Sequence, residues 1–455
     1  MMRAIALIDG EHYPPVVRFA LDGLRSEYEV LAAVFIGGTE KVDFEKGGDL
    51  YGLPVVFADS PEAGLREAIR RYEPDVAIDL SDEPVVSSAD RFKLAGVALS
   101  GGIEYRGADF SFKPPVSRHT TRTPTLGLIG TGKRVGKTAI SGYVARELTA
   151  SGRDICVLAM GRGGPAEPEL IYGEKIRLTT EDLLELARKG VHASSDNYED
   201  AVMSRVTTVG CRRCGGGMAG ETFFSNVVEG AQLADTLGKE LIFLEGSGAA
   251  IPPVHADANI LVVGAGRGVT YVRDYFGPYR LGLADLVVIA TAEDALVSPY
   301  EVVGILKAIE DISPGMRSIA TTFRPKPIES VEGARVFFAT TAPPEVLPNL
   351  VAHLESVHGC EVVGFSPHLS NRTLLRQDMR AAEGRYDLLL TELKAAAIDV
   401  VAAVGEETGV RTVLCDNVPI PVDQSINLSS EVLRVAELAI DRGLQRNGSG
   451  DDGRE

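Results

Sequence analysis

Cysteine is scarce in this sequence, and its scarcity limits the available chemistry. The 455 residues include five cysteines, a small and odd number that is typical of proteins in a reducing compartment. The pair in Cys211-x-x-Cys214 has no second cysteine pair at the spacing of a zinc site. A metal site at these two cysteines is therefore disfavoured.

Long apolar runs are also missing. No stretch approaches the roughly 18–20 uncharged residues that a membrane-spanning helix needs. The apolar part of the opening sequence MMRAIALIDGEHY is too short for the core of a secretion signal. We therefore expect a cytoplasmic protein that does not act at a membrane. Its length indicates two or three domains, since a domain usually holds roughly 100–200 residues.

Basic residues are outnumbered by acidic ones. The chain has 46 Lys and Arg against 64 Asp and Glu, a net charge of −18. At the level of the whole molecule this charge excludes nucleic acid and anionic membranes as partners. A polyanionic small molecule is compatible with it only where lysines and arginines are gathered locally.

One stretch indicates a chemistry by itself. Leu126 to Ile129 suit a buried strand, GTGKRVGKT then forms a turn, and a helix begins at Ala139. Such a loop holds phosphates on backbone N–H groups, while Lys137 reaches the β- and γ-phosphates and Thr138 ligates Mg²⁺. The strict G-x-x-x-x-G-K-[ST] pattern is missed at its first position. The residues expected to bind ATP are Gly130, Thr131, Gly132, Lys133, Arg134, Val135, Gly136, Lys137 and Thr138.

A carboxylate follows a second buried strand. Glu240 to Glu245 read as a strand that ends in Glu245-Gly-Ser-Gly. A carboxylate at the end of a strand beside a phosphate loop is suited to hold Mg²⁺, directly or through water. We expect Thr138 and Glu245 to be the metal ligands; a plain strand-ending turn is the alternative.

Local groups of cations predict where an anionic substrate binds. The stretch RVTTVGCRRCGGGMAG at 205–220 combines arginines with three consecutive glycines, and arginine forks grip phosphate or carboxylate. A flexible surface loop is the alternative. The candidate substrate-binding residues in this part of the chain are Arg118, Arg162, Arg205, Arg212, Arg213 and Gly216. Lys133, inside the phosphate loop, is predicted to face the junction between the γ-phosphoryl group and the substrate, with a solvent-facing position as the alternative.

The opening turn is a further candidate. The first predicted strand ends in Asp9-Gly-Glu11-His12, and ligands of parallel sheets bind beyond the carboxyl ends of strands. We expect Asp9, Glu11 and His12 to bind substrate. A polar turn that precedes a helix, with proline in its first positions, is the alternative.

Alternating strands and helices predict an α/β fold with mostly parallel sheets. The predicted regions are a Rossmann-like domain at 1–112, a linker at 113–124, a P-loop NTPase core at 125–327, a further α/β region at 328–446 and a disordered tail at 447–455. Two prolines are expected to interrupt the chain near 323–327, and whether the region after them extends the central sheet is left open. Helices are also predicted at 179–189, capped by Thr180, and at 221–237. Candidate contacts to the nucleotide base are residues 291–294 and 416–419.

Several motifs resemble known families. The loop GTGKRVGKT with the later LEGSG resembles dethiobiotin synthetase and its class of P-loop enzymes, and RVFFATTAPP, GFSPHLSNRTLL and LLLTELKAAAIDV are similar in order to tetraacyldisaccharide kinase. The combination of LIDGEHYPPVV, GTGKRVGKT, SSDNYEDA, CRRCGGGMAG and LEGSG resembles the cyclic 2,3-diphosphoglycerate synthetase family over nearly the whole chain.

That resemblance implies ATP-driven closure of 2,3-bisphosphoglycerate into a cyclic pyrophosphate, and a homodimer. Lys137, Lys133, Arg212 and Arg213 are then the expected catalytic cations. The first domain is expected to close over the substrate and to exclude water. The alternatives are a kinase of an acidic metabolite such as 2-phosphoglycerate, and a nucleotide-dependent switch that acts on a protein partner.

Overall fold

The computed structural model describes residues 1–41 and 50–449, which form two compact units. Unit 1 comprises residues 1–115, 269–283 and 311–313, and unit 2 comprises residues 116–268, 284–310 and the chain from 314 onward. These units do not correspond one to one to the predicted regions, whose boundaries stay predictions. Within the described residues, no helix is both long and apolar enough to cross a bilayer.

Unit 1 is built on a six-stranded sheet in the order β3-β2-β1-β4-β5-β6. Its strands are β1 (Met2–Ile8), β2 (Tyr28–Phe35), β3 (Val55–Val56), β4 (Val76–Asp79), β5 (Glu104–Arg106) and β6 (Ser111–Phe112). All neighbouring pairs are parallel except β5 with β6. The run Ala4–Ile8 is completely buried in β1, as expected for a central strand covered on both faces.

Most helices of unit 1 begin at a capping serine or at a proline. They are α1 (Pro14–Leu24), α2 (Pro61–Tyr72), α3 (Ser88–Ser100), α8 (Thr270–Arg273) and α9 (Gly277–Gly282). The Ser60 hydroxyl accepts a hydrogen bond from the Ala63 N–H at the start of α2, and Ser87 does the same for Asp90 in α3. Such caps satisfy N–H groups that the first turn of a helix leaves open.

Unit 2 contains a second sheet, in which thirteen strands of the described chain take part. They are β7 (Thr125–Gly130), β8 (Ile155–Gly161), β9 (Glu169–Tyr172), β10 (Thr207–Cys214), β11 (Phe224–Ser225), β12 (Leu241–Glu245), β13 (Ala258–Gly264), β14 (Leu286–Ala290), β15 (Ser318–Pro327), β16 (Arg335–Ala339), β17 (Glu361–Ser366), β18 (Leu388–Glu392) and β19 (Arg411–Pro421). The order is β11-β10-β8-β12-β7-β13-β14-β15-β19-β18-β16-β17, and β9 pairs with β10. The predicted α/β fold with mostly parallel sheets is confirmed.

The helices of unit 2 cover this sheet. They are α4 (Lys137–Ala150), α5 (Thr180–Arg188), α6 (Asp196–Glu199), α7 (Val227–Asp235), α10 (Pro299–Ile312), whose last residues belong to unit 1, α11 (Leu347–His358), α12 (Arg372–Ala381), α13 (Ala403–Thr408) and α14 (Leu428–Ser449). A π-helical turn at Asp200–Ser204 continues α6. Apolar residues of α4 and α14 share one core cluster with β7, β12 and β13. The strand that leads into the phosphate loop is therefore packed on a rigid base.

The region after residue 327 extends the central sheet. Residues 318–320 of β15 pair in parallel with β14, and residues 321–327 pair antiparallel with β19. The predicted interruption by prolines near 323–327 is wrong, because Pro325 and Pro327 both lie in β15. Both lie beyond the last residue that pairs with β14, and a proline is tolerated where the missing N–H has no ladder partner.

Three other predictions need correction. Thr179, and not Thr180, caps α5, and its side chain forms a capping box with Asp182. The helix predicted at 221–237 is shorter, because the short strand β11 comes before α7. Residues 447–449, predicted as part of a disordered tail, belong to α14, which runs to Ser449; residues 450–455 lie outside the described part of the chain.

Candidate functional site

The phosphate loop connects β7 to α4. The Thr131 N–H donates to the Val262 carbonyl at 3.1 Å, and α4 begins at Lys137, two residues before the predicted start. Gly136 precedes it with a φ of +86°, and a β-carbon there would lie 2.9 Å from the Phe323 ring. Only glycine meets both conditions. The first N–H groups of α4 therefore open toward the loop, as in an anion-binding helix terminus.

Lys137 reaches across this loop to the next strand end. Its Nζ donates to the Gly248 carbonyl at 2.8 Å and lies 3.4 Å from the Gly132 carbonyl. Burial lowers the pKa of Lys137 to about 8, although the carboxylates of Glu245 and Asp196 oppose that change. A desolvated ammonium held in this way is prepared to exchange a carbonyl for a phosphate oxygen.

Arg213 meets Lys137 at the same turn. Its Nη2 donates to the Ser247 carbonyl at 2.8 Å, and its Nη1 donates to the Gly215 carbonyl at 3.1 Å. Burial, followed by the charge of Arg162, lowers the pKa of Arg213. Cations from the phosphate loop and from β10 thus converge on residues 247–248.

Arg212 holds a second glycine-rich loop. Its Nε donates to the carbonyls of Pro165 at 2.6 Å and Gly164 at 3.2 Å. Arg162 lies on the same loop with an exposed side chain, and its charge lowers the pKa of both Lys137 and Arg213. The stretch predicted as one anion-binding loop is in fact half strand, because Thr207–Cys214 form β10.

Glu245 ends β12 in the same neighbourhood. It is 5% exposed, and burial, followed by the charge of Asp196, raises its pKa to about 7. The neighbouring Ser141 and Asp200 side chains and the charge of Lys137 oppose part of this rise. The strands β7, β8, β10 and β12 are mutually parallel, so Glu245, Arg213 and the phosphate loop share one edge of the sheet.

Three acidic residues at this edge were missed by the sequence reading. Asp196, Glu199 and Asp200 come from α6 and the π-helical turn after it. Burial raises the pKa of Glu199 to about 8 and also raises the pKa of Asp196 and of Asp200. Their spacing of three and four residues places them on one helix face. That spacing was the available signal, but the predicted helices did not include these residues.

The remaining loop residues are more exposed. Lys133 and Arg134 have exposed side chains, and the Lys133 carbonyl accepts a hydrogen bond from Arg267 at 3.0 Å. Gly216 lies beside Arg213, because a β-carbon on it would come within 3.2 Å of Nη1. The predicted contact of Lys133 with the transferred group stays a prediction.

Two predicted substrate residues lie elsewhere in unit 2. Arg205 precedes β10 and has a φ of +54°. A strand rises roughly 3.3 Å per residue, so the length of β10 separates Arg205 from Arg212. The backbone of Arg118 pairs with Val254, and the adjacent His119 ring lies 4.0 Å from that of His255. Neither arginine is brought to the turn at 247–248.

The predicted residues of unit 1 form a polar turn. Oδ1 of buried Asp9 accepts hydrogen bonds from the N–H groups of Glu11 at 3.0 Å and His12 at 3.1 Å. The His12 ring lies between Asp9, at 2.8 Å, and Asp82, at 3.2 Å. A hydrogen bond with Glu40 raises the pKa of Glu11. These hydrogen bonds are those of a polar turn that precedes a helix, which was the alternative to a binding site. Substrate contact by Asp9, Glu11 and His12 stays a prediction.

Two acidic residues among the candidate base contacts already have partners within the protein. The Glu293 carboxylate accepts hydrogen bonds from Arg324 at 2.8 Å and Asn349 at 2.7 Å. Asp416 lies inside β19, and not at a strand end, and pairs with Arg146. Recognition of the base by either segment stays a prediction.

Three family models together match most of the chain. Family models for the N-terminal, P-loop and C-terminal domains of cyclic 2,3-diphosphoglycerate synthetase match residues 3–113, 125–322 and 327–418. Among solved structures, LpxK from Aquifex aeolicus in complex with ATP aligns with a TM-score of 0.39 at 15% identity, over 71% of this chain and 91% of its own. An alignment with this TM-score does not establish a shared fold.

Related sequences align from end to end. Cyclic 2,3-diphosphoglycerate synthetase of Methanothermus fervidus is 48% identical over 96% of this chain and 98% of its own. The proteins of the same name from Methanothermobacter thermautotrophicus and Rubrobacter xylanophilus are each 47% identical, over 96% and 99% of this chain and 96% and 100% of their own. The chain therefore belongs to the cyclic 2,3-diphosphoglycerate synthetase family of P-loop enzymes.

Proposed function

We propose that this chain uses ATP to close 2,3-bisphosphoglycerate into cyclic 2,3-diphosphoglycerate, with release of ADP and inorganic phosphate. The γ-phosphoryl group first moves to one phosphate of the substrate, which breaks the β–γ anhydride and forms a new one. An oxygen of the second substrate phosphate then attacks the first substrate phosphorus. Inorganic phosphate leaves, and the ring anhydride is closed.

One observation carries this proposal beyond family membership. Lys137 and Arg213 donate to neighbouring carbonyls, those of Gly248 and Ser247. A nucleotide phosphate held by Lys137 would therefore lie next to a guanidinium suited to a second anion. The reaction needs this adjacency, because two phosphate groups must approach each other while an anhydride forms.

Phosphoryl transfer depends mainly on position and on charge, and it needs no protein nucleophile. The first N–H groups of α4 and Lys137 would hold the ATP phosphates. Arg213 would hold the acceptor phosphate, and Arg212 would keep the loop at Gly164–Pro165 in place, since its Nε donates to both carbonyls. The protein's role is thus to bring like charges together in a site of low dielectric.

The residues present fit Mg²⁺. Thr138 lies in the first turn of α4, and buried Glu245 holds a carboxylate at the same sheet edge. No group of three or more His, Cys, Asp or Glu in the described ranges surrounds a metal position. Mg²⁺ beside phosphates usually takes one or two protein oxygens and fills its shell with water and phosphate. When bound, the ion would neutralise charge between the β- and γ-phosphates.

The proposal is tested by product analysis. Purified protein is incubated with ATP, Mg²⁺ and 2,3-bisphosphoglycerate, and the products are identified by phosphorus NMR. We expect ADP release that depends on bisphosphoglycerate and a cyclic product. A linear phosphorylated product alone would favour a kinase, and nucleotide hydrolysis without a need for the small molecule would favour a switch. A homodimer and a cytoplasmic location stay predictions.

A further inference from the structure

A lysine from the C-terminal part of unit 2 lies beside the acidic residues of the phosphate site. Lys394 follows β18 by two residues, and its Nζ lies 3.6 Å from Glu392 Oε2 and 4.0 Å from Glu199 Oε1. Glu199 belongs to α6, next to Asp200, whose carboxyl bonds to that of Glu245. The C-terminal region therefore adds an ammonium group to the edge of the sheet that carries the phosphate loop.

Neither of the two carboxyls lies within hydrogen-bond distance of the Lys394 ammonium. Hydrogen bonds between charged nitrogen and oxygen are about 2.7–2.9 Å long, so contacts at 3.6 and 4.0 Å do not use the N–H groups for hydrogen bonds to these two carboxyls. The Lys394 side chain retains 28% of its exposure. An incoming anion can therefore reach it.

Glu392 is a firm anchor for the lysine. Its carboxylate accepts hydrogen bonds from the hydroxyls of Thr340 at 2.5 Å and Thr341 at 2.7 Å. Burial would lower the pKa of Lys394, but Glu199 and Glu392 outweigh burial and raise it. The ammonium is thus kept charged and tethered, which reduces the side-chain entropy lost when it binds a ligand.

The lysine also lies within electrostatic reach of the cations described above. Burial raises the pKa of Asp196, and the charges of Lys137, Arg162 and Lys394, in that order, oppose the rise. The Asp196 carboxyl therefore lies within electrostatic range of all three groups.

The proposed substrate needs such an additional cation. It carries two phosphates and a carboxylate, while Arg213 spends donors on two backbone carbonyls and Arg212 spends its Nε on two others. We propose that Lys394 is a substrate-binding residue that donates hydrogen bonds to a phosphate oxygen of bisphosphoglycerate. This assignment rests on the function proposed above.

Binding titrations test the assignment without relying on turnover. Calorimetric titration with 2,3-bisphosphoglycerate compares the wild type with Lys394→Met and with Lys189→Met, the latter an exposed lysine paired with Glu185. The loss of one charge-assisted hydrogen bond should weaken bisphosphoglycerate binding by roughly 10- to 100-fold in Lys394→Met. MgADP binding should stay within about threefold, and Lys189→Met should resemble the wild type.

A second variant covers a failure of Lys394→Met to fold. Lys394→Met with Glu392→Gln removes one positive and one negative charge together, and its affinity is compared with that of Glu392→Gln alone. A folded variant without Lys394 that binds bisphosphoglycerate within twofold of its background overturns the assignment. Binding without ring closure in the wild type overturns the proposed function and leaves the role of Lys394 intact, whereas a wild type that does not bind bisphosphoglycerate overturns both.

Discussion

Lys137 Nζ and Arg213 Nη2 donate hydrogen bonds to consecutive backbone carbonyls, those of Gly248 and Ser247, at 2.8 Å each. One turn therefore sets the spacing of two cations that come from distant parts of the chain. We propose that this pair links the nucleotide to the substrate.

Replacement of Arg213 should affect the substrate more than the nucleotide. Arg213→Lys keeps a positive charge but loses the planar fork that grips two oxygens. We expect kcat/KM for bisphosphoglycerate to fall by roughly 10- to 100-fold, in line with the loss of a charged hydrogen bond, while the KM for ATP changes little. Steady-state kinetics with each substrate varied in turn measures the split. An equal loss for both substrates would contradict the assignment.

Gly248 should be sensitive to a single methyl group. It has a φ of +63°, and a β-carbon on it would lie 3.1 Å from Arg213 Nη2. Gly248→Ala should therefore lower activity. It should also destabilise the protein by roughly 1–2 kcal/mol through backbone strain. Gly238→Ala is the matched control, since Gly238 has a φ of +66° with nothing within 4 Å of the added carbon. Thermal unfolding should shift similarly in both variants, and activity should fall only in the first; a similar loss of activity in both would show that strain alone is responsible.

Glu199 should make stability depend on pH. Burial raises its pKa from 4.5 to about 8, the charges of Asp196, Glu245 and Glu392 add to the rise, and Lys394 opposes it. The folded state then holds a proton that the unfolded state releases, so this group lowers the free energy of unfolding as pH rises from about 4.5 to about 8. Glu199→Gln should flatten that slope. Denaturant unfolding at pH 5 and pH 8 measures it, with exposed Glu185→Gln as the control; an unchanged slope would show that Glu199 is not desolvated.

Asp257 should be a main support of the strand before the phosphate loop. It is buried and accepts hydrogen bonds from the Thr125 N–H at 2.8 Å and from Arg446 Nε at 3.0 Å. Burial alone would raise its pKa, but the nearby His255 and hydrogen bonds from Arg446 and Thr125 outweigh burial and hold the pKa well below its ordinary range. Asp257→Asn should cost about 2–4 kcal/mol.

Equilibrium unfolding measures this cost. Asp399→Asn, in an exposed pair with Arg372, should cost less than about 1 kcal/mol. Equal effects of the two substitutions would contradict a supporting role for Asp257. That role is present at neutral pH and fades as pH falls toward the folded-state pKa.

Local patterns predicted those parts of the structure that local physics determines. Buried apolar runs such as Leu126–Ile129 gave strands, and GTGKRVGKT gave the loop, because both depend on neighbouring residues. Pairing between distant strands was not predictable from such patterns. The prolines of β15 therefore indicated an interruption of the chain, whereas they lie in a strand that pairs with β19. Arg205 was grouped with Arg212 by proximity in sequence, and an intervening strand separates them.

The same reasoning explains why the acidic residues at 196–200 and Lys394 were not predicted from the sequence. Their carboxyls and ammonium meet only because α6 and the end of β18 pack together, and such a contact between distant segments is not predicted by neighbouring residues. The sequence thus predicted Lys137, Arg213 and Glu245, which meet at one sheet edge, and missed the acidic residues at 196–200 and Lys394.

The fate of the γ-phosphorus of ATP distinguishes ring closure from simple phosphorylation. In a single turnover with γ-labelled ATP and 2,3-bisphosphoglycerate, we expect all label to end in inorganic phosphate and the cyclic product to carry none, because the ring anhydride joins two phosphates of the substrate. Label retained in a product that derives from bisphosphoglycerate at the end of the turnover would contradict it and would identify a kinase.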